Sequence, residues 1–170
     1  NGLENIDVKD YDDILVDNAG IKFAKEFRKD KGAFNLGKNN LLLGELGTGK
    51  SCVIQYISNY SLNREIISFT IRIATGFSVE GLHISLYSSL ARQIMRWLDK
   101  HGSRDPLEPT QEGCIIGLLS IKDMRPKNYG FIIFVEDLHK ISNVDIVFDF
   151  LQMFQPLQES IKDEGINISF

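Results

Sequence analysis

Cysteine is scarce in this chain, with only Cys52 and Cys114 among 170 residues, and neither has a C-x-x-C partner or metal-ligand spacing. A disulfide framework and a zinc site are therefore excluded as organising devices, and free thiols in a reducing compartment are expected. No apolar run approaches the roughly 20 residues that cross a bilayer. Neither sign of charge dominates: 19 Lys and Arg against 23 Asp and Glu leave a net charge of -4. That balance argues against holding nucleic acid by bulk electrostatics and leaves room only for a local basic face. The start, Asn1-Gly2-Leu3-Glu4, has neither the basic and apolar regions of a signal peptide nor an initiator Met. It reads as the edge of a longer intracellular chain, cytoplasmic or nuclear.

What remains is an ordinary globular composition, 43% hydrophobic and 25% charged, long enough for one domain with a proper core and short for two. There is no internal repeat and no low-complexity tract. Residues 1–34 form an N-terminal extension, acidic around Asp10, Asp12 and Asp13. Within it, Asp17 or Asn18 caps a helix running to about Lys31, with Ile21, Phe23, Ala24 and Phe27 at helical spacing. Residues 35–170 form the core. Its first strand is expected at Asn40–Gly44, followed by a helix from Ser51 to Tyr60. Glu65–Ile73, mostly β-branched, reads as a second buried strand. In Leu82–His101, Leu86, Leu90, Ile94 and Leu98 recur every four residues, with Gly102 as the stop. Ser103–Gly113, holding Pro106 and Pro109, is a surface loop. Cys114–Asp123 is a short helix halted near Pro126. Phe131–Val135 is an unbroken apolar run, hence a strand covered on both faces. Asn143 caps a helix from Val144 to about Phe154; Pro156 interrupts it, Leu157–Asp163 resumes it, and Ile166–Phe170 is the last strand. Strands separated by helices of this length imply an α/β fold with a mainly parallel sheet and helices on both faces.

The segment Gly44-Glu45-Leu46-Gly47-Thr48-Gly49-Lys50-Ser51 fits G-x-x-x-x-G-K-[S/T] at every constrained position, between an apolar strand and a helix. Its glycines let successive N–H groups turn inward onto phosphate oxygens. The helix N-terminus, beginning with Lys50, Ser51 and Cys52, adds partial positive charge. Lys50 reaches the β- and γ-phosphates, and the Ser51 hydroxyl ligates Mg2+. The companion is Phe131-Ile132-Ile133-Phe134-Val135-Glu136-Asp137, a strand delivering two carboxylates to the edge where the phosphates sit. One acid holds the metal and the other polarises the attacking water. By position Glu136 takes the metal and Asp137 the water. The bound species is then a nucleotide with Mg2+. A guanine reader would need Asn-Lys-x-Asp, and no such run occurs.

These two elements, about eighty residues apart, resemble the P-loop and Walker B elements of the additional-strand ATPases, the AAA+ and STAND classes. The chain is most similar to origin-recognition-like and STAND-type cores over about residues 35–170. The resemblance implies a three-layer P-loop NTPase sandwich in which Ile166–Phe170 inserts between the two motif strands. It further implies an ATP-hydrolysing switch or motor working with other subunits or domains. The alternative is an ATP-holding structural subunit of an origin-recognition-like complex in DNA replication, with little hydrolysis and DNA contacted through other regions. The usual order of the acids in these families is Asp then Glu, or Asp-Asp, so Glu136-Asp137 departs from it; the shorter catalytic acid suggests slow turnover.

Other expected parts of such a core have weak counterparts. Ser169 stands near the sensor-1 position, and no C-terminal lid with a sensor-2 arginine follows. An arginine finger is not distinguishable among Arg72, Arg92, Arg96, Arg104 and Arg125, each of which also reads as a solvated surface residue. Adenine is expected against the segment preceding the loop, where Tyr11, Ile14 or Val16 either forms its wall or packs the preceding helix. His139 is either a sensor of the γ-phosphate or an ordinary loop histidine. A nucleotide kinase is disfavoured because no Arg-rich segment follows the acidic pair.

Overall fold

The computed structural model describes residues 39, 49–62, 65–73, 78–127, 130–141 and 143–170. The N-terminal helix expected before Lys31, the strand expected at 40–44 and loop residues 44–48 lie outside the described residues. The elements in order are α1 (Lys50–Leu62), β1 (Ile66–Arg72), α2 (Val79–Lys100), α3 (Gln111–Met124), β2 (Gly130–Glu136), a 3-10 turn (Leu138–Lys140), α4 (Val144–Gln152), α5 (Phe154–Lys162) and β3 (Asn167–Ser169). The strands form a parallel three-stranded sheet in the order β1-β2-β3. This is a mixed α/β architecture, as the alternation of elements predicts.

Register decides what each face carries, because successive strand residues point to opposite sides. Ile67, Phe69 and Ile71 align with Phe131, Ile133 and Val135, and Phe131 aligns with Ile168. That face meets the main core, in which Leu86, Leu90, Ile94 and Leu98 of α2 join Cys114, Leu118 and Ile121 of α3. Phe150, Phe154, Leu157 and Ile161 of α4 and α5 complete it. The four-residue recurrence in α2 is thus a buried stripe, as its spacing required. Gly117 allows the close approach of α3: a Cβ there would lie 2.6 Å from Ile94 Cγ2 and 2.5 Å from Leu107 Cδ1. On the opposite face Ser68, Thr70 and Arg72 align with Ile132, Phe134 and Glu136. There Ser68 shares a 2.6 Å hydrogen bond with Ser58 of α1, whose Val53, Tyr56 and Ile57 are buried.

Three helix boundaries differ from the periodicity reading by three residues. Helix α2 starts at Val79, three residues early, because the Ser78 hydroxyl accepts from Gly81 N and caps it. Helix α3 starts at Gln111 because Thr110 does the same for Gly113 N. The break between α4 and α5 falls at Met153, not at Pro156. Pro156 occupies the first turn of α5, where its missing N–H costs nothing, and in an unbroken helix its ring would clash with the Gln152 carbonyl four residues back.

Candidate functional site

The carboxyl edge of the sheet gathers the charged residues that end its strands. Arg72 and Glu136 are the first charged residues of β1 and β2, and parallel register sets them side by side. Arg72 Nε donates to Glu136 Oε2 at 2.9 Å, while Ile73 N donates to the Glu136 carbonyl at 3.1 Å. The Glu136 side chain is 14% exposed and that of Arg72 is 76% exposed, so the acid is sheltered and the cation reaches it from solvent. The hydrogen bond to Glu136, and then its charge, hold the Arg72 guanidinium above its ordinary pKa.

Asp137 leaves the strand in the left-handed region, at φ 69° and ψ 24°. Aspartate tolerates this conformation better than most residues. The reversal opens the 3-10 turn, in which Lys140 N donates to the Asp137 carbonyl at 2.9 Å. The Lys140 Nζ donates to Asp137 Oδ2 at 2.6 Å. The hydrogen bond from Lys140 holds the Asp137 carboxyl below its usual range, and the charges of Lys140, His139 and Arg72 act in the same direction. His139 is exposed on this turn.

Lys50 begins α1 and Ser51 and Cys52 follow within its first turn; Ser51 is exposed and Lys50 half-buried. Gly49 enters the helix at φ 82°, and its carbonyl accepts from Val53 N at 3.1 Å. That positive φ is what the last loop glycine must supply. Because Ser58, four residues before the end of α1, meets Ser68, two residues into β1, the two elements run antiparallel. From the Ser58–Ser68 contact, Lys50 lies about 12 Å back along the helix. Arg72 lies about 13 Å forward along the strand. The first turn of α1 is therefore level with the edge bearing Arg72 and Glu136, on the face of the sheet to which both point. Of the predicted site residues, Gly49, Lys50, Ser51, Cys52, Glu136 and Asp137 are described, whereas Gly44, Glu45, Leu46, Gly47 and Thr48 fall outside the described residues.

Elsewhere, Ser169 is buried opposite Ile132 in register, on the side of the sheet that faces α1. Trp97 packs against the core and stacks on His101, ring centroids 3.7 Å apart. Position 39 is moored beside β3: Asn39 and Gln158 exchange hydrogen bonds of 3.3 and 2.7 Å, and Gln158 Nε2 also donates to the Ile168 carbonyl. The sequence alone offers Arg72 only as one of the arginine-finger candidates or as a solvated surface residue, and assigns Lys140 no role. The available signal was that Arg72 closes its strand at the same point as Glu136, and that Lys140 sits three residues beyond Asp137. No described helix is long and apolar enough to cross a membrane. No protein family, curated protein or solved structure matches the chain.

Proposed function

We propose that the protein binds ATP at the carboxyl edge of its sheet and hydrolyses it, as a nucleotide-dependent switch or motor module of the AAA+/STAND type. The observation that carries this reading is a helix opening on Gly49-Lys50-Ser51, level with Glu136 and on the same side of the sheet. Open α/β sheets bind ligands at this edge, and helix N-termini favour phosphate. The finer fold it requires is a three-layer P-loop sandwich with the run at 40–44 added beside β3. Support comes from Asn39, held to Gln158 next to that strand.

In this reading Lys50 and the amides of residues 44–49 grip the phosphates. Ser51 and Glu136 offer hard oxygen donors of the kind Mg2+ takes, and Mg2+ needs few protein ligands when phosphate oxygens and water complete its shell. Among the described residues no group of three His, Cys, Asp or Glu forms a dedicated cage, so Ser51 and Glu136 would hold the ion only together with the nucleotide. Held there, Mg2+ would supply neutralisation of phosphate charge. Asp137 orients a water in line with the γ-phosphorus. The water oxygen bonds to phosphorus as the bridging P–O bond breaks, ADP keeps that electron pair, and the water proton passes through Asp137 to solvent.

Titration calorimetry with ATP and Mg2+ tests the site. The wild type binds and Lys50→Ala does not; undiminished affinity in that variant removes the assignment. A second reading, an ATP-holding subunit with little turnover, is favoured by the ion pair that engages Asp137. It predicts long retention of ATP, unchanged by Asp137→Ala.

A further inference from the structure

Asp137 is the acid the proposed reaction uses, yet its Oδ2 is engaged by a cation. Lys140 Nζ sits 2.6 Å from Oδ2, and the two residues also share the main-chain hydrogen bond of the 3-10 turn. The left-handed backbone of Asp137 builds this closure, since it folds the chain back within three residues. Glu136 has its own cation in Arg72, so Lys140 is not shared between the acids. An ammonium on Oδ2 fixes the orientation of the carboxylate and lowers its basicity, which makes it a poorer acceptor for the proton of a water poised for in-line attack.

We infer that Lys140 is a positioning residue that latches Asp137 and sets a low basal rate of hydrolysis. Turnover rises when the Lys140 ammonium leaves Oδ2, because the carboxylate is then freer to direct water and more basic towards its proton. The inference rests on the ATP-binding reading and adds a regulatory device to it. The Lys140 side chain engages Asp137, whereas the proposed phosphate grip is that of Lys50, so ATP affinity reads the grip and turnover reads the latch.

The test is steady-state phosphate release beside ATP affinity, for the wild type, Lys140→Met, Lys140→Arg and the double variant Lys140→Met/Asp137→Asn. Lys140→Met should raise the turnover number roughly two- to fivefold, the scale of a partly exposed ion pair, with ATP affinity unchanged. Lys140→Arg keeps a cation in place and retains the wild-type rate. Adding Asp137→Asn, which preserves the left-handed backbone, abolishes the gain. Turnover in Lys140→Met equal to or below wild type, at unchanged affinity, overturns the latch. Failure of the wild type to bind ATP shows in the affinity instead, and defeats the underlying reading together with the latch.

Discussion

Arg72 Nε and Glu136 Oε2, 64 positions apart in sequence, lie 2.9 Å apart at the last paired position of β1 and β2. The pair locks the strand ends together and leaves the Arg72 side chain largely in water. Its geometry is that of an edge device, where solvent screens the attraction and the guanidinium is free to be displaced.

Replacing Arg72 with Gln should therefore change stability by less than about 1 kcal/mol. Urea unfolding at low and high salt checks this. The small difference between variant and wild type should shrink further as ionic strength rises, because an exposed pair is screened.

Gly49→Ala is expected to be costlier for its size. The helix entry demands φ 82°, and an L side chain in the left-handed region costs roughly 1–2 kcal/mol. Under the proposed function the variant also weakens ATP binding, measured by calorimetry, since relaxing φ turns the neighbouring amides away.

Leu90→Ala probes the core beneath the sheet. Leu90 is fully buried in the middle of α2, and truncation of such a leucine costs about 2–5 kcal/mol through lost burial and a residual cavity. Chemical denaturation should show a lower midpoint with an unchanged slope.

Cys114 gives a pH prediction. Burial pushes its thiol from 9.0 up to about 12, so the unfolded chain releases this proton first as pH rises. Its contribution to stability is fully present below pH 9 and is lost progressively towards about pH 12. Tyr87, raised by burial as well, acts in the same direction. Asp137 works oppositely: its lowered carboxyl pKa contributes stability above the unfolded value that is lost as pH falls through the folded one. Thermal unfolding across alkaline pH, with and without Cys114→Ala, isolates the thiol. A thiol reagent near neutral pH should label Cys52, which is partly exposed, and spare Cys114 until the chain unfolds.

Several elements were legible because their causes are local. The leucine recurrence in α2 and the apolar runs of β1 and β2 fixed helix and strands through the 3.6- and 2-residue periods alone. The caps Ser78 and Thr110 were readable in principle, and periodicity missed them because a cap precedes the apolar pattern it starts. The Met153 break was misplaced for a similar reason: the steric effect of Pro156 acts one turn before the ring.

By itself the sequence determined an α/β chain with a helix opening on Gly49-Lys50-Ser51 and an apolar strand ending in Glu136-Asp137. Those features follow from short-range sterics, hydrophobic spacing and the freedom of glycine to take positive φ. Only the tertiary structure decided that Arg72 faces Glu136, that both point to the side of the sheet where α1 begins, and that Lys140 takes the carboxylate of Asp137. The first two depend on strand register, which is set by burying Phe69, Phe131 and Ile133 together in one core. The third depends on a backbone reversal at an aspartate, which no periodicity encodes.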